Sequence, residues 1–164
     1  MHADVISFWF DELGPKRWFA KDPSLDARIV ERFSSTHEKA SRCELYAWRE
    51  TAKGRLAEVL VLDQFSRNMF RDSPRAFAQD PLALALAQEA VRAGADKDLT
   101  PSERAFLYMP FMHSESLVIH DVAVELFTKN GIAQNLDYEQ KHKAVLDRFG
   151  RYPHRNAILG RPST

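Results

Sequence analysis

At 164 residues, with 45% hydrophobic and 28% charged side chains, the chain has an ordinary globular composition, long enough for one core burying roughly 70% of its unfolded surface. Lysine plus arginine equals aspartate plus glutamate at 23 each, so no long-range field draws the molecule onto nucleic acid or an anionic membrane. The lone Cys43 excludes an internal disulfide, and no stretch has the features of a signal peptide or the roughly 20 apolar residues that span a bilayer; a cytoplasmic, non-membrane, single domain over residues 1–164 is expected.

Helices are predicted near residues 4–10, 23–41, 54–70, 81–93, 101–129 with a break at Pro110, and 137–149. Three of the starts carry a capping side chain followed by proline: Asp22-Pro23, Asp80-Pro81 and Thr100-Pro101. Glu103 completes a capping box with Thr100, and Gly94 and Gly150 mark helix ends. Alternating strand patterns are absent, whereas Ile29 with Phe33, or Val118, Val122 and Leu126, keep helical spacing. The expected fold is all-α, a single domain of antiparallel helical hairpins. Arg17-Trp18-Phe19-Ala20-Lys21-Asp22-Pro23 also resembles Arg75-Ala76-Phe77-Ala78-Gln79-Asp80-Pro81, a trace of duplication or two answers to one local need.

Three segments could carry chemistry. In the helix near 54–70, Leu56, Val59, Leu60 and Phe70 share a face with Asp63 and Arg67, and the two charges stand four apart in the favourable order for an ion pair. Either they neutralise each other, or Asp63 orients Arg67, with Asn68 nearby, towards an anion. In Tyr108-Met109-Pro110-Phe111-Met112-His113-Ser114-Glu115, the side chains of His113 and Glu115 diverge on a regular helix, so joint action requires the helix to stop there. They are the candidate general acid or base, with Ser114 beside them.

From Lys141 to Arg161 the chain is locally basic, and His142, Arg148, Arg151, His154, Arg155 and Asn156 are candidate ligand contacts. The same arginines could instead hold carbonyls at helix ends. Neutral net charge argues against single-stranded nucleic acid. His113, Glu115, His120, Asp121, His142 and His154 lack the spacing of a known metal site, and no phosphate-binding glycine loop is present. No metal or cofactor is therefore expected.

The chain resembles the bacterial DUF924 family, an uncharacterised group assigned to the tetratricopeptide-like helical superfamily. The resemblance rests on Phe8-Trp9-Phe10, Trp18-Phe19, Leu62-Asp63-Gln64-Phe65, Arg67-Asn68-Met69-Phe70-Arg71, Tyr108-Met109-Pro110, His113-Ser114-Glu115 and Arg148-Phe149-Gly150-Arg151-Tyr152-Pro153-His154-Arg155-Asn156. Ser66 stands where the family pattern usually has proline and His120 where glutamine is expected, so His120 is left out of the site. The resemblance implies a tetratricopeptide-like fold, with relatives continuing beyond Thr164 into another helix, and supplies no reaction. The preferred expectation is a module binding a small anionic ligand or acidic peptide group. The rivals are a hydrolase-like enzyme using His113 or Glu115, and a scaffold whose polar residues only knit helices together.

Overall fold

A computed structural model describes residues 1–164, of which 76% are helical and none lie in strands. Helix α1 (His2–Ile6) runs into a π-helical segment, Ser7–Leu13. Helix α2 (Pro23–Ser41) starts on the Asp22 carboxylate, which accepts from the Ser24 and Leu25 amides at 3.0 and 3.3 Å. Its Leu25, Ile29, Phe33 and His37 repeat every four residues and are buried. Helix α3 is continuous through Ala52–Leu60, the π-helical segment Val61–Phe65 and Ser66–Met69.

Next come α4 (Asp80–Arg92), α5 (Pro101–His113), α6 (Leu117–Asn130), α7 (Ala133–Phe149) and the short α8 (Asn156–Leu159). The Thr100–Glu103 capping box opens α5. Gly131 and Gly150, at φ +80° and +73°, close α6 and α7 in the left-handed conformation that glycine adopts without a Cβ penalty.

The expectation of one apolar face on the helix near 54–70 is corrected: every residue from Leu56 to Ser66 is buried. Contacts with α1, α4 and α5 surround the first part of α3, and α2 packs on its later part. The small Ala83, Ala87 and Ala90 on α4 are fully buried. Trp9, Phe65 and Phe106 meet edge-on or tilted at the centre, with ring centroids 5.5 to 5.9 Å apart.

Two further expectations change. Pro110 does not break α5, because it removes one backbone donor within the last turn of a helix buried from Ala105 to Met112; the chain turns instead at Ser114, which is extended. Asp80 does not cap α4, since its carboxylate is taken by Arg67. No helix is long and apolar enough to cross a membrane.

Candidate active site

The π-helical segment of α3 carries Asp63 into the interior, where it is 1% exposed. A π turn in a long helix re-aims side chains at the cost of regular hydrogen bonding and recurs at functional sites. Asp63 gathers three donors. His113 Nδ1–H donates to Oδ1 at 2.6 Å, Arg67 donates to Oδ1 at 3.1 Å, and Gln64 donates to Oδ2 at 3.0 Å. The same Arg67 grips Asp80 with two bonds, 2.8 and 3.0 Å. The mutual neutralisation open in the sequence is therefore a three-membered network, with Asp80 supplied by the next helix.

Because α5 ends at His113 and Ser114 is extended, His113 and Glu115 reach one cavity despite standing two residues apart. The cavity has a volume of about 350 Å³; its polar wall is Asp80, His113, Ser114, Glu115 and Arg155, opposite Phe77 and Leu84. His113 retains 15% side-chain exposure there. With Nδ1 committed to Asp63, the free Nε2 is the ring's unshared lone pair.

Burial acts against charge on both partners. Against burial, the Arg67 charge and the hydrogen bonds from His113 and Gln64 hold the Asp63 carboxyl below the ordinary value. Burial, reinforced by Arg67, holds His113 below its ordinary value despite Asp63. The pair is thus a carboxylate and a neutral imidazole near pH 7.

Glu115 is differently placed from the expected acid or base. Arg161 donates to both its oxygens at 3.0 and 3.1 Å, and the Tyr152 amide donates to Oε2 at 2.7 Å. Although burial raises it, these bonds hold its carboxyl below the ordinary value, so it stays ionised and ties the chain end to the Ser114 turn. Ser114 Oγ accepts from the Ser116 amide at 3.2 Å and has no base next to it.

Arg155 is buried between the faces of Phe77 and Tyr152, 4.5 and 4.8 Å from the ring centroids. It donates to the His113 carbonyl at 3.0 Å, but its nearest carboxylates, Asp80 and Glu115, are each 3.7 Å away and its Nε has no partner. Burial and Arg67 pull this guanidinium below its ordinary value. Behind the turn, Tyr152 O–H donates to the Met112 carbonyl at 2.5 Å, and His120 faces the Ser114 carbonyl at 2.6 Å and Glu139 at 2.7 Å. The carbonyl oxygen opposite Nε2 and the carboxylate opposite Nδ1 hold the ring at both nitrogens.

Asp63, Arg67, His113, Ser114, Glu115 and Arg155 therefore converge. The other expected ligand positions do not. Asn68 lies off the His113 cavity, on a smaller one it shares with Gln64, Arg67 and Arg71, and donates to Asp26 at 2.9 Å, beside the two Arg71–Asp26 bonds. Asn156 is buried against Thr164. His142 bonds the Tyr138 carbonyl of its own helix, Arg148 lies over neighbouring Phe149, and Arg151 and His154 lie outside the cavity wall. After Gly150 the chain turns, and Tyr152, Arg155 and Asn156 are buried while His154 is exposed. Asp80, Arg161 and Tyr152 were missed as site residues. Asp80 reads in sequence as a cap, and no local pattern separates Arg161 from the other basic residues. His120, excluded on resemblance, supports the turn from behind, while Asp121 is exposed.

Residues 5–164 match the family described as bacterial protein of unknown function, DUF924. The chain belongs to the DUF924 family. It is also similar to a solved structure, a protein of unknown function from Agrobacterium tumefaciens: identity is 41%, coverage is 99% of this chain and 92% of that one, and the TM-score is 0.95. No match was found among curated proteins. Membership fixes the helical frame, and the site's chemistry has to be argued from its side chains.

Proposed function

We propose that this DUF924 protein binds a small molecule in the cavity beside His113 and exchanges a proton with it. The observation that carries the reading is the 2.6 Å Asp63–His113 bond, which takes Nδ1 and leaves Nε2 without a partner in a residue that lines the cavity. A buried carboxylate on Nδ1 fixes the tautomer and steadies the imidazolium that forms when Nε2 takes a proton, as in the dyads that activate water or a hydroxyl. A neutral ring at pH 7 is ready to act as base. Glu115 is too well bonded to transfer protons, and Ser114 lacks an activating base, so the reading is general acid–base catalysis of a hydrolytic type without a covalent intermediate.

A second reading, recognition of a small anion or acidic peptide group without turnover, draws on Arg155. Its long carboxylate distances and unpartnered Nε leave it the least satisfied cation of the cluster. Against this, Asp80 and Glu115 share the cavity wall, so an anion has to approach two carboxylates. We place the protein in the cytoplasm, in keeping with the free, exposed Cys43.

The test is a thermal-shift screen of phosphorylated, carboxylated and neutral metabolites, with turnover of each hit measured on wild type and His113→Gln. A ligand at a hundred times its dissociation constant adds about 2.7 kcal/mol. Under the catalytic reading, His113→Gln keeps the shift and loses at least about a hundredfold in turnover. Binding without turnover in either protein supports the second reading. If no compound shifts the wild type, both are wrong.

A further inference from the structure

A second polar cavity, of about 370 Å³, lies away from His113 between α2 and the end of α3, lined by Ser34, His37, Glu38, Ser41, Phe70 and Arg75 among others. His37 is buried, and its Nε2 is paired with the Ser66 hydroxyl at 2.7 Å, the one hydrogen bond either side chain makes. Its Nδ1 has no partner within the protein. The Arg75 guanidinium is stacked on the Phe70 ring, 3.9 Å from the centroid, and has no carboxylate within ion-pair distance. The His37 ring meets the same phenyl group edge-on at 5.3 Å.

The freedom of Arg75 has a cause visible on comparing the two similar segments that begin at Arg17 and Arg75. In the first segment Arg17 pairs with Asp22, the capping aspartate, at 3.3 Å. In the second segment the equivalent aspartate is Asp80, which Arg67 occupies on the other side of the chain. Arg75 is left with an aromatic face and an open cavity.

We infer that this cavity is an oxyanion site, in which Arg75 and the Nδ1–H of His37 hold a carboxylate or phosphate group. A guanidinium stacked on an aromatic ring is pre-oriented for oxyanion hydrogen bonds. The Ser66 hydroxyl has no other acceptor, so it donates to His37 Nε2, which places the ring hydrogen on Nδ1. The hydroxyls of Ser34 and Ser41 donate to the Val30 and Glu38 carbonyls, so they add no donors. Glu38 is the opposing charge on the wall, and its nearest cation is Arg42 at 3.7 Å. The closeness of Arg75, after burial, is what lowers the basicity of His37, and a bound anion would offset it.

The test is nuclear magnetic resonance of the full chain with labelled histidine at pH 7.5. Sodium phosphate and, separately, sodium acetate replace sodium chloride at constant ionic strength. The expected result is a saturable movement of the His37 ring signals while the other five histidines stay in place. Phosphate alone, acetate alone or both acting identifies the group preferred. Arg75→Ala, an exposed position that leaves the core intact, should weaken the response about tenfold or more, the loss of one charge-assisted contact. Glu38→Gln should strengthen it. A His37 signal indifferent to both anions, or a response unchanged in Arg75→Ala, overturns the site; movement of His113 alone assigns the anion to the first cavity and overturns it equally.

Discussion

Asp63→Asn is the substitution that most directly probes the dyad. The amide keeps one oxygen for His113 and Arg67, and its NH2 group replaces the Oδ2 acceptor of Gln64, whose amide must turn over to offer its own oxygen. Arg67 also loses a carboxylate, a loss softened by its two bonds to Asp80; breaking a buried ion pair outright costs about 3–5 kcal/mol. A loss near 3 kcal/mol is expected, or about 6–12 °C in melting temperature for a chain of this length.

Acid supplies an independent check. Asp63 has a folded-state pKa below its ordinary 3.8, so its contribution is present above that value and fades as pH falls through the folded pKa. Urea unfolding of wild type and variant should show a constant gap above the ordinary histidine value of 6.5, where His113 is neutral in both, and a gap that narrows below about pH 3.8 as Asp63 takes up its proton. A gap under about 1 kcal/mol at pH 7, or one that persists unchanged into acid, refutes the buried-carboxylate account.

Two further outcomes follow from the packing and the histidines. His37 and His113 are both held below the ordinary 6.5, chiefly by burial; their neutral forms favour the fold, so stability is full above that value and is lost as pH falls below it. Urea midpoints should fall from pH 7.5 to 5.5, less steeply in His113→Gln, and an unchanged slope in that variant would contradict the burial argument. Gly54→Ala should destabilise, although helix propensity alone gives a gain of about 1 kcal/mol. An added Cβ would stand 1.9 Å from the Trp48 carbonyl oxygen, and backbone cannot yield as a flexible side chain does. A loss of about 2 kcal/mol is expected in thermal melts, and a raised melting temperature would refute it.

The all-α class was legible because helix signals are local: Asp22, Thr100, Gly94 and Gly150 act on backbone groups within a few residues of themselves. The convergence of Asp63 with Arg67 was visible for the same reason, since a four-residue helical spacing places them together. What surrounds a helix is a different matter. Apolar spacing suggested one buried face for α3, and only packing on several sides revealed a helix buried throughout from Leu56 to Ser66.

The site depended on encounters across long sequence separations. His113 meets Asp63 at a distance of 50 residues along the chain, and Arg161 meets Glu115 at 46. Asp80 illustrates the limit best. Its sequence context is that of a helix cap, yet the carboxylate gains more from a buried guanidinium on another helix than from the free amides of its own. Local propensity determined where helices begin and end; the choice among competing partners for each charge was made only when the helices packed, because burial removes the water that would otherwise have satisfied them all.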